Sequence, residues 1–309
     1  IKNKKRNFMD LKDLEDIIIA NLKDKTDEIK RVFHGRGNFY ENFCYLTVDS
    51  LNDTFFATFY EEDINELEIV ELLRKIALNK DYKNLILQRK YKENNFFEAI
   101  LGVLPEHFYA VENGLKYKID FKNRNIGLFF DMKNTREYLK NICEDKTVLN
   151  LFSYTCAFSV VCIAGKAKKV VNIDMGKNSL SIGRANHHIN NLDTKNVKFL
   201  PHNILKSFGR IKIESPFDIV IIDPPSFQKG SFVATNDYIK IIKRLDLFTQ
   251  KGSLVIACLN DPFLSCSYLK EIFSESASNF KFIKRVENPK EFVSNSDENG
   301  LKVLLFEKI

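Results

Sequence analysis

Apolar residues recur at helical spacing in the first segment, residues 8–31, where Phe8, Leu11, Leu14, Ile18 and Leu22 share one face. A turn signal, His34-Gly35-Arg36-Gly37, ends that pattern, and two β-rich stretches follow, Phe43 to Val48 and Thr54 to Tyr60, split by Asn52 and Asp53. Residues 63–79 return to helix on a stripe of Leu67, Val70, Leu73, Ile76 and Ala77. Short strands are predicted again over 84–90, 96–102, 108–114 and 115–121, with Glu112-Asn113-Gly114 as a hairpin turn because Asn-Gly accepts positive φ.

From residue 147 the rhythm changes to strand, helix, strand. Strands are predicted at 147–153, 168–174, 197–203, 217–223, 252–259, 280–286 and 302–308, with helices near 156–164, 177–191, 204–211 and 236–249. Continuous apolar strands alternating with helices imply a parallel sheet covered on both faces. The expected architecture is α/β: a Rossmann-like seven-stranded sheet, preceded by a smaller α+β N-terminal domain. The expected divisions are 1–83, 84–125 as β-rich connecting hairpins, and 126–309 as the Rossmann-like domain.

Composition adds little, charge distribution more. The hydrophobic fraction of 44% and charged fraction of 28% suit a globular chain. No apolar run is long enough to span a bilayer and no signal core follows the basic N-terminus, so a cytoplasmic location is expected. The chain begins at Ile1 rather than Met, which leaves room for upstream sequence. The six cysteines form no CxxC pair and no metal-ligand spacing with histidine, so reduced thiols and no metal site are expected. Residues 1–125 hold 21 Lys/Arg against 22 Asp/Glu, whereas residues 126–309 hold 26 against 19. The positive excess therefore lies entirely in residues 126–309; it is modest, and permits a polyanionic partner such as RNA without requiring one.

In an open parallel sheet, ligands bind beyond the carboxyl ends of the strands. The first strand of the series runs into Phe152-Ser153-Tyr154-Thr155, and the second ends in Asp174, 21 residues beyond Ser153. That is the spacing at which a carboxylate meets a ribose held by the first loop; capping the next helix is the alternative role. Met175 is placed to pack on an adenine face. The fourth strand runs into Asp223-Pro224-Pro225-Ser226-Phe227. Two prolines stiffen such a loop, which can hold a planar amine or base edge while Phe227 stacks on the base. A rigid turn is the plainer alternative.

These motifs resemble a known family. Asp223 to Phe227 is similar to motif IV of nucleic-acid amino- and base-methyltransferases, and Phe152 to Thr155 resembles the motif I loop of the bacterial large-subunit ribosomal RNA methyltransferases of the I and K types. The run Ile126 to Asp131 with Arg136, and the Glu112-Asn113-Gly114 hairpin, resemble their lead-in, so the likeness spans about residues 84–309. The first eighty residues do not resemble the RNA-binding PUA domain of the I type. The resemblance implies S-adenosylmethionine as cofactor. Phe152, Ser153, Tyr154 and Thr155 would line its methionine moiety, Asp174 and Met175 would hold ribose and adenine, and Asn203 would contact the adenine amino group. Phe129, Asp131 and Arg136 would lie at the pocket mouth, and Asp223, Pro224, Pro225 and Phe227 would present the acceptor.

Two departures bear on the chemistry. The family loop continues with two small residues, usually Gly-Gly, where this chain has Cys156-Ala157. Carbon-5 cytosine methylation needs a cysteine nucleophile after the fifth strand, where Leu259 aligns and Cys258 falls one residue early, on the opposite strand face. The expectation is therefore methyl transfer to a base nitrogen in RNA, ribosomal RNA or its precursor. The alternatives are a carbon-5 cytosine enzyme and a non-catalytic RNA-binding protein; a homodimer is compatible with the chain. A nicotinamide oxidoreductase is disfavoured, because no glycine lies between Asn150 and Ala164 where G-x-G-x-x-G is required.

Overall fold

The computed structural model describes residues 9–22, 26–94, 96–225, 227–228 and 232–309, with backbone alone at 227, 228 and 233–235. The chain divides into two compact units, the first comprising residues 1–130 with 289–296 and the second 131–288 with 297–309.

The first unit is built on a five-stranded sheet in the order β1 (Lys30–His34), β2 (Leu46–Leu51), β3 (Thr54–Phe59), β4 (Asn84–Arg89), β5 (Phe97–Leu101). Helix α1 (Leu11–Asn21) opens on a capping box in which Asp10 and Asp13 satisfy each other's backbone N–H groups. Its buried Leu14 and Ile18 join Leu73 and Ile76 of α2 (Glu66–Asn79) in a core with Val48, Phe55 and Ala57 of the sheet. The helical pattern expected over 8–31 stops at Asn21, and residues 30–34 form an edge strand that the apolar spacing did not announce. Because β3 and β4 pair in parallel, the chain must cross over between them, and α2 is that crossover. On another part of the sheet Phe56 stacks against Phe121, which also touches Phe108 of the hairpin β6 (Phe108–Glu112) and β7 (Leu115–Ile119). Asn113 and Gly114 take φ of 49° and 76° in that hairpin, the geometry expected of an Asn-Gly turn.

The division at residues 83 and 125 is thus replaced. Strands β4 and β5 belong to the first sheet through the β3–β4 pairing, so 84–125 is no separate connector, and the boundary falls at 130/131. Residues 289–296 also join the first unit: Ser294 Oγ and Asn295 N donate to the Gly37 carbonyl, and Phe292 packs on His34.

The second unit is a seven-stranded sheet. Its strands are β8 (Thr147–Leu151), β9 (Lys169–Ile173), β10 (Val197–Leu200), β11 (Phe217–Ile222), β14 (Thr249–Leu259), β15 (Phe280–Val286) and β16 (Lys302–Lys308); two short strands, β12 (Phe227–Gln228) and β13 (Phe232–Val233), form a separate ribbon. The order is β10-β9-β8-β11-β14-β16-β15, and β16 runs antiparallel to both neighbours. Helices α3 (Lys133–Ile142), α4 (Ala157–Ala164), α5 (Lys177–His188), α6 (Phe208–Glu214), α7 (Ala234–Ile242) and α8 (Cys266–Ser276) accompany it. Leu149, Val171, Val220, Ile222, Val255 and Ala257 form a dry sheet face that buries Tyr238 and Ile241 of α7 and Phe273 of α8. Sequence pattern gave neither α3, whose residues are mostly polar, nor α8.

Candidate active site

Strand register aligns the site. Ile222 pairs with Leu151, Leu151 with Ile173 and Ile173 with Leu200, so these four lie in one row across the sheet. Phe152, Asp174 and Asp223 are each the next residue, and Cys258 follows Ala257, the partner of Ile222 on the other side. The chain reverses β order on either side of β8, which makes this row the switch point where an open sheet opens a crevice.

The loop from β8 to α4 is conformationally unusual. Phe152, Tyr154 and Cys156 take φ of 57°, 46° and 61°, a left-handed region that non-glycine residues enter at a cost of roughly 1–2 kcal/mol each. Its neighbours hold it there. Ser153 N donates to the Ile173 carbonyl at 3.1 Å, Cys156 N to the Ser153 carbonyl at 2.7 Å, and Asn186 Nδ2 of α5 to the Thr155 carbonyl at 3.0 Å. Tyr154 N donates to Asp174 Oδ2 at 2.9 Å, while Gly176 N donates to Oδ1 at 2.8 Å. Asp174 therefore ties the first loop to the second strand end. Each carboxylate oxygen retains a further acceptor position, so the same group can still receive ribose hydroxyls. Phe152 packs edge-on against Phe232 at 4.9 Å between centroids.

Two features of this row bear on how a cofactor could be held. Ser153 is buried, and its hydroxyl has no oxygen or nitrogen partner among the described residues, only the Cys156 thiol beside it. A thiol is a weak partner, so the hydroxyl keeps hydrogen-bonding capacity for a bound ligand. Met175 beside Asp174 is 46% exposed, an apolar side chain held open at a strand end.

Cys156 answers the departure from glycine. Its side chain is fully buried, and burial pushes its thiol up to about 12, so it stays neutral. It fits because Gly183 faces it: a Cβ on Gly183 would lie 2.5 Å from Cys156 Sγ. The small residue absent from the loop is supplied by the opposing helix.

Under the loop lies a buried polar chain. His187 Nδ1 is 2.8 Å from the Gly183 carbonyl, which only accepts, so that nitrogen carries the hydrogen and Nε2 accepts from Ser159 Oγ at 3.0 Å. Asn172 Nδ2 donates to Ser159 Oγ at 3.0 Å and Asn150 Nδ2 to Asn172 Oδ1 at 2.9 Å. Burial lowers the proton affinity of His187, consistent with the neutral tautomer. His187 is thus a packing residue, in a network that ties β8, β9, α4 and α5 together.

Asp223 closes the row. Burial and the nearby Asp131 carboxylate push its carboxyl up to about 7, opposed by Arg136. Asp131 precedes α3, and Arg136 lies buried within that helix. Pro224 is buried and Pro225 exposed. Ser226 and the side chain of Phe227, expected to stack on a base, lie outside the described residues. Tyr238 Oη donates to the carbonyls of Cys258 at 3.1 Å and Ile222 at 3.3 Å, so α7 grips the ends of β11 and β14 just where Asp223 emerges. Cys258 is fully buried, and burial with the charges of Asp223 and Asp131 drives its thiol well above the usual range. Asn203, half-buried after β10, uses Oδ1 to accept from Lys206 N at 3.3 Å. Phe129 is 44% exposed and belongs to the first unit. Sequence reading missed Tyr238, Asn186 and Gly183. None stands at a strand end, and their roles arise only from helices folding back over the loops.

A left-handed loop at the switch point, with an acidic residue ending the second strand and a further carboxyl ending the fourth, is the arrangement expected of a nucleoside-cofactor site in an open α/β sheet. Comparison with known proteins agrees. Residues 30–307 match the S-adenosylmethionine-dependent methyltransferase family, and the chain belongs to it. Its cofactor is S-adenosylmethionine. YwbD of Bacillus subtilis, provisionally named a ribosomal RNA large subunit methyltransferase, is 26% identical over 90% of this chain and 74% of its own length. Ribosomal RNA large subunit methyltransferase I of Aeromonas hydrophila is 36% identical over 43% of this chain, but that match spans only 34% of the relative. Among solved structures, the methyltransferase SMU.776, complexed with SAH, superposes with a TM-score of 0.85 at 25% identity, over 98% of this chain and 83% of its own.

Proposed function

We propose that the enzyme transfers the methyl group of S-adenosylmethionine to a nitrogen of a base in RNA, with ribosomal RNA or its precursor as the substrate. The cofactor supplies an electrophilic methyl group; the chain's own groups orient it and handle the proton. Ser153 and the backbone of Phe152 to Thr155 would hold the methionine moiety, Asp174 the ribose and Met175 the adenine, with Asn203 at its edge. Asp131 and Arg136 would set the charge beside Asp223.

The observation that carries the nitrogen reading is the contrast between Asp223 and Cys258. Asp223 has its carboxyl lifted to about 7 at the end of β11, so near neutral pH it can both hold and release a proton. An exocyclic amine that takes the methyl group becomes cationic and must lose a proton, which the Asp223 carboxylate would accept while the stiff Pro224-Pro225 turn positions the base. Cys258, by contrast, is a buried thiol held neutral, unsuited to attack a pyrimidine ring. The names of the relatives support RNA as acceptor, as does the positive excess of residues 126–309.

The test uses tritium-labelled S-adenosylmethionine with unmodified large-subunit ribosomal RNA, followed by nuclease digestion and chromatography of the nucleosides. Label in an N-methylated base is expected, with full activity in Cys258→Ser and no covalent adduct on 5-fluorocytosine RNA. A stable adduct would establish carbon-5 chemistry instead. Label confined to protein or small molecules would overturn the RNA acceptor.

A further inference from the structure

The turn His34-Gly35-Arg36-Gly37 plays no part in the methyl-transfer site, yet its construction is specific. A Cβ on Gly35 would lie 1.7 Å from the Phe43 carbonyl oxygen, and one on Gly37 would lie 1.8 Å from that of Val293. The two glycines let the turn lie flat on neighbouring backbone and leave Arg36, exposed, as the side chain it presents.

Arg36 does not stand alone. Its guanidinium carbon is 4.5 Å from the centroid of the Tyr60 ring, and the Lys90 ammonium is 5.3 Å from the same ring. Arg31 is pinned by Asp49 at 2.6 Å and rests on Phe292 at 4.6 Å, while its Nη1 lies 2.7 Å from His34 Nδ1. Arg124 donates to the Lys90 carbonyl at 2.8 Å and lies over Phe96 at 5.0 Å. Among the described residues, Arg31 alone of these four cations is ion-paired with a carboxylate. Burial and the charges of Arg124, Arg36 and Arg31 lower the proton affinity of Lys90, and burial with Arg31 and Arg36 pushes His34 down to about 3, keeping it neutral. Four cations fixed by aromatic rings and backbone, with one carboxylate among them, form a preorganised anion site.

We propose that Arg36, Lys90 and Arg124 bind a phosphodiester of the RNA substrate, with Arg31 held behind them on Asp49, so that the first unit grips the backbone while the second does chemistry. This rests on RNA being the acceptor. Phosphate contacts of this kind position a nucleic acid without reading its sequence.

The full-length protein with Arg36→Ala, Lys90→Ala or both is titrated with unmodified large-subunit ribosomal RNA by filter binding at several salt concentrations. Each substitution is expected to weaken binding on the order of tenfold and to lower the salt slope by about 0.7–0.9. Calorimetric affinity for S-adenosylhomocysteine should not change. The Tm of Lys90→Ala should be equal or higher, since a crowded, half-buried ammonium is removed. Unchanged RNA affinity and slope in the double variant would overturn this site and leave the RNA reading standing. A wild-type protein that binds no RNA would overturn both. A fall in Tm in both variants would make the cluster structural and overturn the site as well.

Discussion

Asp223 is a carboxyl that the fold keeps at an energetic disadvantage. In the unfolded chain it would ionise near the usual carboxylate value of about 3.9; in the folded chain it holds its proton until about pH 7. Between those values the unfolded state gives up a proton that the native state keeps, so Asp223 lowers stability progressively as pH rises from about 4 to 7, with no further change above. Asp223→Asn removes that penalty. The variant should match wild type near pH 4 and be more stable at pH 8 by about 2–4 kcal/mol, measured by denaturant unfolding. The same variant should lose methyl transfer by roughly two to four orders of magnitude. In the wild type kcat/KM should rise with pH and level off above about 7. A variant no more stable at pH 8, or a flat pH profile, would remove the assigned role. Asp174 acts differently, because it receives two backbone N–H groups. Asp174→Ala should weaken S-adenosylhomocysteine binding by about 1–3 kcal/mol in calorimetry, through the ribose contact and the freed Tyr154 loop together; unchanged affinity would contradict it.

At the scale of elements, the β8–α4 loop and helix α5 form one packing unit. The loop lacks glycine at Cys156 and the helix has it at Gly183, with the two side-chain positions meeting at 2.5 Å. Gly183→Ala should therefore overpack this junction and cost about 1–3 kcal/mol, with a parallel loss of cofactor affinity. Cys156→Gly in the same chain removes both atoms that the new methyl group would strike, and glycine tolerates φ of 61°, so the double variant should recover most of the loss. Additive effects in that cycle would show that the pair does not interact. This junction also explains what could be read from sequence and what could not. Strands β8, β9, β11 and β14 were legible because fully buried strands are written as continuous apolar runs, and Asp174 and Asp223 were legible because they end such runs. Helices α3 and α8 were not, since their buried stripes are thin: Thr135, Arg136 and Leu139 in one, Leu269, Ile272 and Phe273 in the other. Asn186, His187 and Tyr238 carry no local signal. They are polar side chains whose meaning lies in backbone carbonyls and hydroxyls far away in sequence, reached only after the helices pack.

For the molecule as a whole, chain order and domain membership do not coincide. The chain leaves the second sheet after β15, contributes residues 289–296 to the first unit, and returns as β16. No composition shift announces this, because the segment is short and polar like any surface loop. Its attachment is nevertheless well defined. The Gly37 carbonyl accepts from Ser294 Oγ at 3.1 Å and from Asn295 N at 2.9 Å, and Phe292 covers His34 and Arg31. Gly37 permits this closeness, since a Cβ there would fall 1.8 Å from the Val293 carbonyl oxygen and 2.7 Å from Ser294 Cα. Both atoms are backbone and cannot swing aside as a side chain would. Gly37→Ala should consequently eject residues 289–296 from the first unit, leaving the Gly37 carbonyl without these donors and the Phe292 ring unpacked. Loss of two hydrogen bonds and one aromatic contact should destabilise the protein by about 2–4 kcal/mol. Limited proteolysis should cut between residues 288 and 297 much faster in the variant, while the seven-stranded sheet, which does not contain the segment, keeps its protection from hydrogen exchange. Equal cleavage rates in variant and wild type would mean that the segment is not held by this turn.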